Sequence, residues 1–386
     1  MTDRITGDWI RDPAAQAVCS MLTDAGYDAH FVGGCVRNAL IGAPISDLDI
    51  STNARPETVT DLAQNAGFHA VPTGIEHGTV TVVVDGAPFE VTTWRRDVET
   101  DGRRATVVYA DTMEEDARRR DFTMNALYAA PDGEIVDPLG GMEDLRARCV
   151  RFIDDAEDRI REDYLRILRF FRFHAWYGDP EGGLDQEALA AIAALSAGLE
   201  TLSRERIGAE MIKLLSAPDP APAVATMEHT GVLHHVIPGL SPAALPRLVH
   251  LEEEHGVAPD ALRRLAVLGG DDHKDALRLS KADAKRLAAL RAGIGSLDAP
   301  AALGYRHGPE VAEDIVLLRA ALTEMPPRDG YRADIERGAC ATFPVKPGDL
   351  MPDYEGPALG DKLKTLEAAW IASDFAASRE TLLGMA

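Results

Sequence analysis

Lysine is missing from the first half of this sequence: none of the first 200 of its 386 residues is a lysine, and every basic side chain there is an arginine. Base is scarce overall, with 40 Lys and Arg against 63 Asp and Glu, a net charge of −23. Such a balance argues against broad phosphate-driven adhesion to nucleic acid, which needs a basic surface. The four cysteines, Cys19, Cys35, Cys149 and Cys340, lie far apart and form no CxxC pair. That speaks against a zinc site and against a disulfide framework. No run of about eighteen apolar residues occurs, which excludes a helical membrane span. The opening "MTDRITGDWIRD" is polar and lacks the apolar core of a signal peptide, so a cytoplasmic protein is expected. There is no short-period repeat and no low-complexity tract.

The apolar fraction, 46%, is ordinary for a globular chain, and the length allows two or three domains. The arginines cluster at 118–120 and then recur from Arg146 to Arg172, so a local basic stripe can exist on an acidic protein. Residues 13–26 have helical spacing with Gly26 as a stop. "AHFVGG" reads as a strand entering a glycine turn, "CVRNALIG" as one or two helical turns, and "SDLDIST" as a second strand. "RPETVTDLAQNAG" reads as a helix, and "TVTVVVDGAPFEVTTW" as a hairpin turning at Asp85-Gly86. Residues 95–118 read as a mobile loop leading into a helix, and "FTMNALYAAPDGEIVDPLGG" as short strands and turns. From about residue 143 the pattern is almost wholly helical, with Pro and Gly between segments.

Four constellations carry chemistry. On a strand, Asp47 and Asp49 share one face while Leu48 and Ile50 share the other. With Glu90, which sits between Phe89 and Val91, they would make three carboxylates able to hold magnesium ions beside a triphosphate; alone, DxD reads as well or better as a polar strand edge. Gly33 and Gly34 let main-chain N–H groups approach phosphates ahead of a short helix bearing Arg37, or are a plain turn. Arg120 and Asp121 could hold a sugar or phosphate, or mark a helix boundary with a salt bridge. "REDYLRILRFFRF", residues 161–173, reads as one helix with Asp163, Arg166, Arg169 and Arg172 on a polar stripe and Leu165, Leu168 and Phe171 beside it; a solvated salt-bridge ladder is the bland alternative.

In order along the chain, GGxVR, DxD, RRDFTxNA, "DPLGG" (137–141) and "EDYLR" (162–166) resemble the bacterial class II tRNA nucleotidyltransferases. These are the CCA-adding enzymes, which share a superfamily with bacterial poly(A) polymerase. "TGVLHHVIPGL" is a weaker further likeness. The resemblance implies an α+β fold: a small polymerase β-like nucleotidyltransferase head with a mixed sheet (1–142), a helical neck (143–205) that recognises the base, and a helical body and tail (206–386) that grips tRNA. It implies catalytic and metal roles for Asp47 and Asp49 with Mg2+. It implies triphosphate contacts at Gly34 and Arg37, ribose sensing by Arg120 and Asp121, and base reading by Asp163 and Arg166 with Glu162 placing the arginine. Arg169 and Arg172 are then further nucleotide contacts, and residues 95–110 a flexible loop that switches between nucleotides. Where this family often has Asp after the arginine of its first motif, this chain has Asn38, which puts a local cap or salt bridge in question.

Expected substrates are CTP, ATP and the 3′ end of tRNA. Cytosine and adenine both present an amino donor beside a ring-nitrogen acceptor; uracil and guanine present the reverse. A carboxylate and a guanidinium side by side therefore accept C and A. Each mismatch leaves buried polar groups unpaired, at roughly 1–3 kcal/mol apiece. Poly(A) polymerase, a CC-only or A-only enzyme, and a non-catalytic RNA-binding relative are the alternatives. A segment such as "HKDALRLSKADAKR" (273–286) would supply the body with a basic face, or is a solvated helix. No His-Asp doublet with supporting ligands suggests a phosphohydrolase.

Overall fold

The structure is a computed structural model and describes residues 4–74, 78–96 and 108–385. The chain divides into two compact units, Met1–Leu202 with Thr230–His235, and Ser203–His229 with Val236–Ala386. The first is α+β; the second is helical.

The first unit is built on a seven-stranded mixed sheet in the order β3-β4-β5-β2-β1-β8-β9. The strands are β1 (His30–Val32), β2 (Asp49–Thr52), β3 (His69–Gly74), β4 (Thr79–Val84), β5 (Ala87–Thr93), β8 (Tyr128–Ala129) and β9 (Ile135–Val136). A separate pair joins β6 (Arg95–Arg96) to β7 (Val108–Tyr109). The expected hairpin is β4–β5, with Val84 paired to Ala87 across Asp85-Gly86. Alternation decides its faces: Val80, Val82, Phe89 and Val91 are buried, and α1 (Pro13–Thr23) and α3 (Pro56–Asn65) pack against that side. β2 lies parallel to β5 with Ile50 opposite Val91 and Asp49 opposite Glu90. The Ile50–Val91–Val80 row is therefore core, and the Asp49–Glu90–Thr81 row faces the other way.

Between β1 and β2 stands α2 (Gly34–Ile41), and α4 (Met113–Arg118) precedes the 121–125 segment. Then come α5 (Gly141–Arg146), α6 (Ala156–Glu162), α7 (Leu165–Tyr177) and α8 (Gln186–Leu195). The "DPLGG" motif starts α5: Asp137 accepts from Gly141 N at 2.8 Å and Met142 N at 2.9 Å. A β-carbon on Gly141 would come 2.3 Å from the Thr123 carbonyl oxygen, so only glycine allows this approach. A cluster of Phe122, Phe152, Phe170 and Phe173, with ring centroids 5.0–6.3 Å apart, clamps α7 onto the 121–125 segment.

Two expectations are corrected. The strand starts at Asp49, so Asp47 precedes it and the strand-face argument holds for Asp49 alone. Residues 161–173 are not one helix. Asp163 is extended (φ −154°, ψ 104°), α6 ends at Glu162 and α7 starts at Leu165. The cause is local: the Asp163 carboxylate accepts from Leu165 N at 3.1 Å and its carbonyl from Arg166 N at 3.0 Å, so it starts a new helix in place of continuing the old one. Arg166, Arg169 and Arg172 remain together on α7, and Leu165, Leu168 and Phe171 are buried as expected. Of the expected mobile loop, residues 97–107 lie outside the described residues.

The second unit has a buried ionic centre. Arg263, on the helix Ala261–Val267, donates to Glu252 at 2.8 Å and Asp314 at 2.7 Å. Arg264 donates to Glu252 at 2.9 Å and to the carbonyls of Leu215 (2.8 Å), Ala217 and Pro218 (2.9 Å). Arg286 completes it with Asp260 (2.8 Å) and Asp314 (2.7 Å). The segment 273–286, expected as a basic face, is thus partly consumed: Arg286 is tied inward and Arg278 pairs with Glu205 at 3.2 Å, while Lys274, Lys281 and Lys285 are exposed.

Candidate active site

The acidic side of the site comes from the β2–β5 pairing. Asp49 and Glu90 are lateral neighbours on one face, and Asp47, exposed and accepting from the Ser46 hydroxyl at 2.9 Å, lies in the segment leading into β2. Burial raises the pKa of Asp49; the Glu90 charge raises it further, Arg120 opposes this, and Asp47 adds to it. Like charges crowding one carboxylate are what a divalent cation relieves, and hard carboxylate oxygens suit magnesium. Even so, among the described residues no group of three or more His, Cys, Asp or Glu converges closely enough to hold a metal ion. The expected three-carboxylate set is not assembled as a cage, because Glu90 is exposed on β5 and Asp47 is off the strand.

The turn before α2 forms the opposite wall. Gly33 has φ +70° and caps α2, and a β-carbon there would lie 3.4 Å from Arg120 Nη1. Arg120 therefore stands between the glycine turn and the carboxylate row. It is held from behind: Nη2 donates to Asp116 at 3.1 Å and Nε to the Tyr128 hydroxyl at 3.3 Å. Asp116 is fully buried and also takes Arg119 Nε at 2.8 Å and the Tyr128 hydroxyl at 2.8 Å. Burial alone would raise its pKa, but the Arg120 and Arg119 charges and the Tyr128 hydroxyl hold it down at about 2.

Arg37 is 5% exposed and has unusual company for a buried cation. It donates to the Asn125 amide oxygen and twice to Asn38 Oδ1, at 3.1 and 2.8 Å. Its guanidinium carbon lies 3.8 Å from the Tyr177 ring centre and 5.1 Å from that of Phe173. Burial lowers its pKa; nearby Tyr177 and Asp121 oppose this, and the Arg172 and Arg169 charges reinforce it. Asn38, where the family often has Asp, keeps the contact with Arg37 while its own amide nitrogen donates to the Pro44 carbonyl at 2.6 Å. The contact survives; the compensating charge does not.

Asp121 pairs with Arg169 through Nε (2.8 Å) and Nη2 (2.5 Å), and Arg172 stands over the Phe173 ring at 4.6 Å. Arg166 donates to Glu162 at 2.5 Å and to the carbonyls of Arg159 (2.8 Å) and Arg119 (3.2 Å). Arg159 also grips Glu162 and the carbonyls of Arg119 and Arg120. Gly33, Arg37, Arg120, Asp121, Arg169 and Arg172 are thus brought together, with Asp49 and Glu90 across Arg120. Glu162, Asp163 and Arg166 form an adjoining group at the α6–α7 break.

Sequence reading missed Asp116, Asn125 and Tyr177. Asp116 carried a signal, since it lies three and four residues before Arg119 and Arg120, the spacing of helix-face pairs. Asn125 is the asparagine of the motif RRDFTxNA. Nothing local marks Tyr177.

The sheet, with its carboxylate row facing a glycine turn and an arginine cluster, is a nucleotidyltransferase-type head. Accordingly, residues 29–151 match the family described as Poly A polymerase head domain, and residues 183–244 match the probable RNA and SrmB-binding site of polymerase A. The chain is 34% identical to the CCA-adding enzyme of Geobacillus thermodenitrificans, over 94% of this chain and 93% of that one. The crystal structure of the Bacillus stearothermophilus CCA-adding enzyme in complex with CTP superposes with a TM-score of 0.71 at 29% identity, covering 96% of this chain and 95% of that one. The Thermotoga maritima CCA-adding enzyme complexed with tRNA shares the fold, with a TM-score of 0.68 at 17% identity over 99% and 95% of the two chains. The chain belongs to the CCA-adding enzyme family. Among the described residues, no helix is long and apolar enough to cross a membrane.

Proposed function

We propose that this chain adds CCA to the 3′ end of tRNA, without a template, from CTP and ATP, as a cytoplasmic enzyme. The observation that carries the reading is the juxtaposition of a crowded carboxylate row (Asp49, Glu90) with an arginine cluster (Arg37, Arg120, Arg169, Arg172), Arg120 lying between Gly33 and that row. A buried cation held by neutral groups, as Arg37 is, has a use when a triphosphate enters. The near full-length likeness to CCA-adding enzymes, one of them solved with CTP, supports the same substrate.

In this reading Gly33, Gly34 and Arg37 receive the triphosphate, and Arg120 and Asp121 the sugar side. Asp163 and Arg166 read the base edge, with Glu162 holding the arginine, and Arg169 and Arg172 contact the nucleotide from α7. The 2.5 Å Glu162–Arg166 pair supports the positioning part. Mg2+ held by Asp47 and Asp49 would neutralise phosphate charge and make the RNA 3′-hydroxyl a better nucleophile. Asp49 and Glu90 then orient that hydroxyl's approach while Arg37 and Arg120 stabilise charge building on the phosphate oxygens. We further assign 1–142 as head, 143–205 as neck and 206–386 as the tRNA-binding body and tail, whose exposed lysines at 274, 281 and 285 are available to phosphates.

The test is stepwise extension of tRNA ending before C74, after C74 and after C75, with CTP or ATP alone. Two C additions followed by one A support the proposal. Two C additions with no A indicate a CC-adding enzyme, A alone an A-adding one, and long A runs a poly(A) polymerase. No incorporation with any nucleotide overturns it.

A further inference from the structure

Tyr177 is the last residue of α7 and stands four residues after Phe173, so the two rings share one face of the helix. Their centroids are 5.4 Å apart and the planes meet at 57°. Gly178 closes the helix behind them, its N–H donating to the His174 carbonyl at 2.8 Å. Phe173 is a shared ring: besides Arg37 it has Arg169 at 5.3 Å and Arg172 at 4.6 Å. Tyr177 is the nearer ring for Arg37, at 3.8 Å, and among the described residues Arg37 is the cation over it.

Arg37 thus meets amides with its edge and rings with its face. Nε and Nη2 donate to Asn38 Oδ1, and Nη1 donates to Asn125 Oδ1. A guanidinium has five N–H groups. Three are spent in this way among the described residues, which leaves two for phosphate oxygens. The amides hold the edge but bring no counter-charge to a cation that is only 5% exposed. A carboxylate would hold Arg37 as firmly and cancel its charge. An aromatic face attracts the guanidinium through the ring quadrupole, fixes its plane, and adds no net charge.

We propose that Tyr177 is a positioning residue for nucleotide binding: its ring seats Arg37 in the plane from which it meets the triphosphate, and does so without neutralising it. This rests on the proposed function, in which Arg37 receives the triphosphate. Helix α7 then sets both ends of the nucleotide. Arg166 in its first turn meets the base, and Tyr177 in its last turn places the arginine that meets the phosphates.

The experiment is steady-state addition of CTP to tRNA lacking its CCA end by the full chain, Y177F, Y177L, N38D and Y177L/N38D, with thermal melts as a folding control. Y177F keeps the ring and should leave KM for CTP within about twofold of the wild type. Y177L removes the ring and should raise KM by about 5- to 20-fold, the span of a desolvated cation–ring contact. Its kcat should stay within about twofold, because the contact is made alike before and during the reaction. The sign of N38D should then reverse between backgrounds. In the wild type the ring already seats Arg37, so an added carboxylate only draws on its charge and raises KM. In Y177L the carboxylate replaces the lost anchor and should lower KM by at least about twofold from the single-variant value.

A folded Y177L of wild-type KM, a Y177F as impaired as Y177L, or an N38D that raises KM in both backgrounds overturns the proposal. If Y177L does not fold, phenylalanines with successively fluorinated rings at position 177 carry the test, since they keep the shape and weaken the ring face. A KM that climbs along that series supports the seat, and a flat series overturns it. A wild-type chain that adds no nucleotide overturns the activity and the seat together, whereas an active wild type with an indifferent Y177L overturns the seat alone.

Discussion

The two units each bury arginines, and the groups that hold those arginines differ. In the helical unit, Arg263, Arg264 and Arg286 face Glu252, Asp260 and Asp314, three cations against three anions, and main-chain carbonyls take the remaining N–H groups of Arg264. In the α+β unit, the buried Arg37 donates to the neutral amides of Asn125 and Asn38 and lies over the Tyr177 ring. An arginine paired with carboxylates is complete without a ligand and serves as scaffold. One held by neutral groups keeps its charge ready for a polyanion. The same residue type thus marks structure in one place and a site in another, and the charge of the groups that hold it distinguishes them.

The comparison breaks most readily in the carboxylate-paired network. Glu252→Ala leaves Arg264 with carbonyls only and Arg263 with Asp314 and the Ala258 carbonyl, so unfolding free energy should fall by about 3–5 kcal/mol, read by urea titration. The KM for CTP of the folded protein should not change; a nucleotide effect as large as the stability loss would erase the distinction.

The mirror variant, Arg37→Ala, removes a cation held by neutral groups. It should raise KM for CTP of the folded protein by about 10- to 100-fold, the value of a charge-assisted contact, alongside a lower melting temperature from the unmet Asn125 and Asn38 amides. A large stability loss without a KM change would make Arg37 scaffold.

Asp116 tests a carboxylate-paired corner of the α+β unit. Its folded pKa of about 2 lies below the ordinary 3.8, because Arg120 and Arg119 favour the charged form against the cost of burial. The depressed value means its contribution is fully present above about pH 4 and is lost as pH falls through about 2. The shift corresponds to about 2 kcal/mol. Asp116→Asn should therefore flatten the acid limb of the stability–pH curve in that window; an unchanged slope would show that the carboxylate is not stabilised by its arginines.

The smallest effect is expected at Asn38. Asn38→Asp would hand Arg37 a partner charge and leave its own charge less available to a phosphate, raising KM for CTP by about two- to fivefold. A lowered KM would mean that better anchoring of Arg37 outweighs its neutralisation.

Much of the α+β unit is legible in its residue order, and the reasons are local. The hairpin is legible because strict alternation flanks Asp85-Gly86, and the burial of Val80, Val82, Phe89 and Val91 follows from that pattern. Glu90 is legible as facing away from the core by the same alternation. The break at Asp163 is not, because continuing a helix and capping a new one differ by a single side-chain bond. Asp47's place off the strand escapes the pattern because strand ends depend on what the neighbouring strand offers.

The amino-acid order alone determined which elements form and which face of each is apolar, since period-2 and helical spacing are properties of the chain itself. It also determined that arginine, not lysine, supplies every cation of the α+β unit's site. Only the tertiary structure decided which carboxylate meets which guanidinium: Arg37 finds Asn125 from 88 residues away, and Arg263 finds Asp314 from 51. Charge pairing acts over a few ångströms in a low-dielectric interior, so it is set by how helices and strands pack and not by neighbours along the chain. That packing decides which arginines meet carboxylates and which meet neutral groups, and so separates a scaffold from a site.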